Sequence, residues 1–159
     1  MNSHTVLLHI GNDFANFKQN VNEQIEHILN DLTYVDIEVE ATSAHYYECD
    51  GIDVKLNSSE FMFDQLSVIH VDGEQVQLSV SANISIDVTA DFSLSTEDHI
   101  DGDMVSLAGT SETETVEFNT PVLIDILFYA EEGDYDIDSV SLSSLPSSVN
   151  FGELEPDYS

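Results

Sequence analysis

The feature that most constrains the fold is an unbroken alternation of apolar and polar residues from Val76 to Leu94. Every even position in this run is apolar and every odd position is polar. Because successive side chains of a β-strand point to opposite faces, the pattern predicts one strand with a buried face and a solvent-exposed face. A fully extended strand of this length would span roughly 60 Å, so we expect it to curve, coil or carry a bulge.

A second, mostly alternating run extends from Val116 to Ala130. The connecting residues 96–111 contain two glycines, so we expect the two runs to pair as one long antiparallel hairpin. Pro121 cannot donate a hydrogen bond to a neighbouring strand, which predicts an edge or a bulge at that position.

Shorter strands are predicted on both sides of this hairpin. Asp50-Gly51 is interpreted as a tight hairpin turn and residues 57–60 as a connector. The predicted short strands cover residues 35–41, 45–49, 52–56, 61–71 and 135–142.

The N-terminal residues combine two patterns. Thr5–Ile10 is a short apolar run that we interpret as a strand. After a break at Gly11, apolar residues recur at spacings of three and four, which predicts an amphipathic helix. These residues are Phe14, Phe17, Val21, Ile25, Ile28 and Leu32.

The predicted fold class is therefore α+β and β-dominated. One N-terminal amphipathic helix is expected to pack on a strongly curved antiparallel sheet, or on a small sandwich, that contains one long hairpin. Residues 1–145 are predicted to form a single acidic domain, a common domain size. Ser, Pro and Gly accumulate after residue 143, so residues 146–159 are predicted to be a loose tail.

The charge of the chain restricts its partners. There are 32 acidic residues against Lys18 and Lys55, which gives a formal net charge of −30. Phosphate contacts require Lys and Arg, so direct nucleic-acid binding is excluded, and anionic membrane surfaces are disfavoured. No apolar run reaches the length of a transmembrane helix. Cys49 is the single cysteine, so no internal disulfide can form and a reducing cytoplasm is expected.

Catalytic, cofactor and metal motifs are not predicted. Asp134, Asp136 and Asp138 form a D-x-D-x-D run, but the EF-hand template fails because Ser139 and Leu145 occupy its glycine and glutamate positions. A solvated strand face is the favoured interpretation, with weak cation binding as the alternative. We therefore predict a protein that is not an enzyme and has no cofactor.

The long hairpin and its flanking strand show a resemblance to a known family. The run 76–94, the acidic loop 96–103, the run 112–130 and the closing segment 134–142 resemble the acidic β-domain that follows the nuclease domain in some bacterial PIN-type ribonucleases. Residues 1–60 are too short for the nuclease domain and lack its acidic tetrad, so no catalytic residue is carried over. The resemblance implies an accessory or regulatory β-module.

Three functions remain open on the sequence. The favoured one is an inhibitor that mimics nucleic acid, anti-defence or antitoxin-like, and occupies a basic surface of a nuclease complex or other nucleic-acid-binding protein. The alternatives are the accessory module and a structural protein adapted to high salt. An open sheet edge also permits a homodimer. The candidate acidic interaction face comprises Asp87, Asp91, Glu97, Asp98, Asp101, Asp103, Glu112, Glu114, Glu117, Glu131, Glu132, Asp134, Asp136 and Asp138.

Overall fold

The computed structural model describes residues 3–98, 100, 102–129 and 131–158. Its helices are α1 (Ser3–Asn12) and α2 (Phe14–Asn30), and a short 3-10 turn covers Phe63–Gln65. Its strands are β1 (Glu38–Ser43), β2 (Tyr46–Phe61), β3 (Ser67–Asp72), β4 (Gln75–Glu97), β5 (Met104–Ser106), β6 (Thr110–Tyr129), β7 (Asp134–Leu142) and β8 (Ser148–Leu154). Neither helix in the described part combines the length and hydropathy that crossing a bilayer demands.

Six of the strands form one sheet in the order β2-β4-β6-β7, with β3 and β5 also paired to β4. β4 and β6 run antiparallel, since Asn83 contacts Asn119 while Thr89 contacts Thr113. β1 and β8 form a separate parallel pair. Strands account for 59% of the structure, and the predicted α+β, β-dominated class with an antiparallel sheet is confirmed.

The alternation in residues 76–94 predicts β4 correctly. Its apolar even positions, from Val76 to Leu94, are all buried, and most odd positions are exposed or half-buried. The predicted hairpin is also present, since β4 and β6 are hydrogen-bonded neighbours. Pro121 directly precedes Val122, where the β6–β7 ladder begins, so its missing donor costs no hydrogen bond in that ladder. Ala130, the predicted end of the run, lies outside the described residues.

The predicted strand at Thr5–Ile10 is wrong, because these residues belong to α1. Val6 and Ile10 are fully buried while Leu8 is 54% exposed. Residues four apart lie on the same face of a helix, which explains this burial. An apolar run of six residues is too short for its periodicity to distinguish a helix from a strand. The amphipathic helix predicted from Phe14 is present as α2, which ends at Asn30 before the predicted Leu32 and buries Leu29 instead of Ile28.

The predicted hairpin turn at Asp50-Gly51 and the connector at 57–60 are also wrong, because β2 continues through both. The glycines with positive φ are Gly73, Gly102, Gly133 and Gly152 among the described residues, so Gly51 does not adopt the conformation of a type I′ turn. The predicted strand 61–71 is divided by the 3-10 turn, and β3 carries its second part. Gly73, with φ of 62°, makes the tight turn into β4.

The structure corrects the prediction of a loose tail at residues 146–159. β8 lies in this segment and pairs with β1. Val149, Phe151 and Leu154 are at most 5% exposed. The Ser- and Pro-rich residues 143–147 precede a strand whose few apolar positions are all buried, so composition alone was misleading.

The chain divides into two compact units. The first contains the residues up to Leu29, Leu56–Ser85 and Glu117–Leu145, and the second contains Asn30–Lys55, Ile86–Val116 and the residues from Pro146. In the first unit the helices supply core residues, and Phe17 and Tyr135 have ring centroids 6.1 Å apart. In the second unit the rings of Phe92 of β4 and Phe151 of β8 pack together, with their centroids 5.7 Å apart. That residues 1–145 form a single domain stays a prediction.

Candidate functional site

Three aspartates of the second unit form what we call the carboxylate row, namely Asp50 of β2 with Asp87 and Asp91 of β4. Each accepts a hydrogen bond from a hydroxyl group on a neighbouring strand. Thr115 Oγ1 donates to Asp87 Oδ1 at 2.7 Å, Ser111 Oγ donates to Asp91, and Ser93 Oγ donates to Asp50. The hydroxyls of Thr89 and Thr113 are 2.8 Å apart. The sheet therefore fixes the orientation of these carboxylates instead of leaving them free to rotate.

Among the described residues, no salt bridge involves a member of the carboxylate row. A salt bridge joins Lys55 Nζ and Asp53 Oδ2 at 3.7 Å, and both side chains are largely exposed. Such surface pairs contribute little to stability. Asp87 and Asp91 are four residues apart on one strand, which places them roughly 13 Å apart along the face. This arrangement can present oriented negative charge to a partner that carries hydrogen-bond donors.

The second unit is the more acidic of the two. It carries 18 of the 32 acidic residues and one lysine, whereas the larger first unit carries 14 acidic residues and one lysine. That is about one carboxylate per four residues in the second unit and about one per six in the first. The carboxylate row thus lies in the unit with the higher charge density.

The structure brings together only part of the predicted acidic face. Asp87 and Asp91 belong to the carboxylate row, but Glu112 and Glu114 of β6 do not. Thr113 and Thr115 point toward the row, and alternate residues of a strand face opposite sides. Glu112 Oε1 instead accepts a hydrogen bond from Thr110 Oγ1 at 3.1 Å.

A second part of the predicted face lies at the loop that joins β4 to β5. Asp98 Oδ1 accepts a hydrogen bond from the backbone N–H of Ile100 at 2.9 Å, so this carboxylate organises the loop. The backbone N–H of Asp98 also donates to the carbonyl of Asp103 at 2.7 Å. Glu97 and Asp103 are exposed beside it, and Asp101 lies outside the described residues.

The remaining predicted residues belong to the first unit. Glu131 and Glu132 lie exposed in the turn before β7, and Asp134, Asp136 and Asp138 alternate along one exposed side of β7. Within the described residues, no three acidic, histidine or cysteine side chains are arranged to hold a metal ion. Partial desolvation and the Asp136 carboxylate raise the pKa of Tyr129, and Glu74 and Glu132 raise it further.

Glu117, the last of the predicted residues, lines a groove on the sheet of the first unit. This β4 groove has a volume of about 620 Å³ and is formed by three segments. They are Ser58, Ser59 and Glu60 of β2, then Asn83, Ile84 and Ser85 of β4, then Glu117, Phe118 and Asn119 of β6. Although Ser85 occupies an odd position of β4, it is only 7% exposed.

The sequence interpretation missed two carboxylates, Asp50 and Glu60. Both lie in β2, where a turn and a connector were predicted instead of one continuous strand. The alternation of Ile52, Val54 and Leu56 with charged residues was the available signal that a strand was present. The Asp50-Gly51 dipeptide is typical of a hairpin turn, so the local sequence favoured a turn where the strand continues.

Cys49 adjoins the carboxylate row. Partial burial raises the pKa of its thiol, a backbone hydrogen bond with Gly51 lowers it, and the charges of Asp50 and Asp91 raise it. The thiolate is the nucleophilic form of cysteine. A thiol that stays protonated at neutral pH is a poor nucleophile, so this arrangement does not resemble that of a catalytic cysteine.

Comparison with known proteins found no matching family model, no matching curated protein and no matching solved structure. The resemblance of residues 75–142 to the PIN-associated β-domain stays a prediction.

Proposed function

We propose that this protein is a non-enzymatic acidic binding protein that inhibits a nucleic-acid-binding protein or nuclease complex by occupying its basic surface. The observation that carries the proposal is the carboxylate row of Asp50, Asp87 and Asp91. Each of these carboxylates accepts a hydrogen bond from a Ser or Thr hydroxyl on a neighbouring strand. The unit that contains them holds 18 acidic residues and one lysine. The partner is predicted to carry Lys and Arg that otherwise contact phosphates.

Orientation of the carboxylates favours binding for a thermodynamic reason. Side chains that are fixed before association lose less conformational entropy when the complex forms. The net charge of −30 steers a basic partner toward the surface and raises the association rate, with an effect that weakens as salt is added.

Charge density supports mimicry only where acidic residues are concentrated. The accessible surface of 9267 Å² gives about 310 Å² for each of the 30 net charges. Duplex DNA carries one charge per ~1.7 Å of axis, which on a cylinder roughly 20 Å wide is about one per 110 Å². The average surface is therefore almost threefold less charged than DNA. The proposal consequently assigns the surface that resembles DNA in charge density to the second unit, where acidic residues are denser.

Adaptation to high salt is the second candidate function class, and the presence of acidic residues in both units favours it. Such a protein would have no specific basic partner. An accessory β-module, implied by the resemblance, would instead bind a partner chain without competition from nucleic acid.

Affinity capture with two eluents separates these functions. The full-length chain is immobilised, exposed to a bacterial lysate at about 50 mM salt, and eluted either with about 200 mM salt or with duplex DNA at constant salt. The proposal predicts that DNA releases a nucleic-acid-binding protein that salt also releases. Capture of proteins that DNA does not displace would support the accessory module. Capture of nothing would support the high-salt protein and contradict the proposal.

A further inference from the structure

We propose that the β4 groove of the first unit is a binding site for an arginine side chain of the partner. This inference rests on the proposed function, because it requires a basic partner. It assigns a specific contact to a different part of the chain from the carboxylate row. The groove has a volume of about 620 Å³, within the usual range for ligand sites.

The groove lies on the sheet face that carries polar odd residues of β4. Its lining includes Asn83 and Ser85, and the burial of Ser85 at 7% exposure shows that the floor is recessed. Ser85 Oγ accepts a hydrogen bond from Asn57 Nδ2 at 3.3 Å, which fixes the floor in position. Residues of all three strands therefore form a prearranged concave surface.

Hydrogen-bond acceptors dominate what the groove can offer a ligand. Asn119 Nδ2 donates to Asn83 Oδ1 at 2.7 Å, which leaves Asn119 Oδ1 as an acceptor and Asn83 Nδ2 as a donor. The Ser59 hydroxyl is already engaged, because it donates to Asn22 Oδ1 at 2.7 Å. Glu60 and Glu117 add two carboxylates that can only accept when ionised. A ligand that fits must therefore supply several donors and positive charge.

The positions of the two glutamates favour a guanidinium over a metal ion. Glu60 belongs to β2 and Glu117 to β6, and β4 lies between these strands. Two strand spacings separate their backbones by roughly 10 Å. A guanidinium has five donors in a planar fork and can bridge separated acceptors, whereas a cation needs several oxygen ligands at about 2–2.6 Å.

Binding of defined peptides tests the inference. The probe is a synthetic octapeptide in which arginine and alanine alternate, and the comparison peptide has citrulline, a neutral analogue, at each arginine position. Calorimetric titration of the full-length chain gives the dissociation constant, and NMR follows the side-chain amides of Asn83 and Asn119. We expect the arginine peptide to bind and to shift both amide signals, and the citrulline peptide to bind at least about tenfold more weakly.

Two charge-matched double variants locate the site. E60Q/E117Q removes both carboxylates of the β4 groove, and E23Q/E26Q removes two exposed carboxylates of α2 in the same unit. The groove variant should weaken arginine-peptide binding about tenfold, and the helix variant less than twofold. Equal weakening by the two variants, or unchanged amide signals on binding, would overturn the inference.

The same peptide distinguishes failure of this inference from failure of the proposed function. If D50N/D87N/D91N abolishes peptide binding while E60Q/E117Q leaves it unchanged, the inference is wrong and the proposed function stands. If the wild-type chain binds no arginine peptide at about 50 mM salt, the inference is wrong, and the affinity capture decides the proposed function separately.

Discussion

At the residue scale, carboxylates change the chemistry of the few other titratable groups near them. Partial burial and the charges of two aspartates raise the pKa of the Cys49 thiol, whereas a backbone hydrogen bond lowers it. Tyr135 donates a hydrogen bond to Asp13 Oδ2 at 3.3 Å and packs against Phe17. Both groups report on the local field, so each gives a test that does not depend on a partner.

The Cys49 thiol should react slowly with iodoacetamide at pH 8. Its pKa is raised first by partial burial and also by Asp50 and Asp91, so the thiolate is scarcer than in the unfolded chain. D50N should accelerate alkylation, whereas D53N, which removes a charge from the same strand, should not. Alkylation of the folded wild type as fast as that of the urea-unfolded chain would contradict this prediction.

Tyr135 should lose its stabilising role at high pH. Burial, the Asp13 charge and the hydrogen bond to Asp13 raise its pKa to about 12, above the ordinary tyrosine value of about 10. Since the folded-state pKa is the higher one, the contribution to stability is complete below pH 10 and is lost as the pH rises toward 12. Denaturant unfolding should show a steeper loss of stability over this range in wild type than in Tyr135→Phe.

Tyr158→Phe is the control for this experiment, because Tyr158 is 73% exposed. It should retain the wild-type dependence on pH. The account of Tyr135 fails if wild type and Tyr135→Phe lose stability in parallel across the range.

At the scale of elements, strand periodicity was predictable and turns were not. The alternation in residues 76–94 predicts β4 correctly because one face of this strand is buried along nearly the whole length of the strand. Asp50-Gly51 and Thr5–Ile10 were misassigned because their structure depends on tertiary pairing and packing that short patterns do not specify. For the proposed site, Asp87 and Asp91 were among the candidate residues named from the sequence. Their grouping with Asp50 was not, since it depends on the register between β2 and β4.

Two glycines make a matched test of the strand assignments. A Cβ at Gly109 would lie 2.7 Å from the carbonyl oxygen of Phe92, whereas one at Gly51 would meet nothing within 4 Å. Gly109→Ala should therefore destabilise the fold by about 1–3 kcal/mol. Gly51→Ala should be neutral or stabilising by about 0.5–1 kcal/mol.

Chemical denaturation of both glycine variants measures the difference. A strongly destabilised Gly51→Ala would indicate that Gly51 is a turn residue after all, and a neutral Gly109→Ala would exclude the close approach to Phe92.

At the scale of the whole molecule, a net charge of −30 opposes the compact state through self-repulsion. The Debye length falls from about 30 Å at 0.01 M to about 8 Å at 0.15 M ionic strength and about 3 Å at 1 M. The melting temperature should therefore rise over the first interval by several degrees and change little above about 1 M. A rise that continues steeply into multimolar salt is what adaptation to high salt predicts instead.

The central claim is that oriented carboxylates compete with nucleic acid for a basic surface. The most direct measurement uses a nucleic-acid-binding protein obtained by the affinity capture, with a fluorescent DNA duplex bound to it, and follows displacement of the duplex by anisotropy. The control variant is E38Q/E40Q/E153Q, which removes three exposed carboxylates of the second unit outside the carboxylate row. We predict that D50N/D87N/D91N requires at least about tenfold more protein than wild type for half-displacement, and the control less than about threefold. Equal potency of the two triple variants, or no displacement by wild type, would contradict the account.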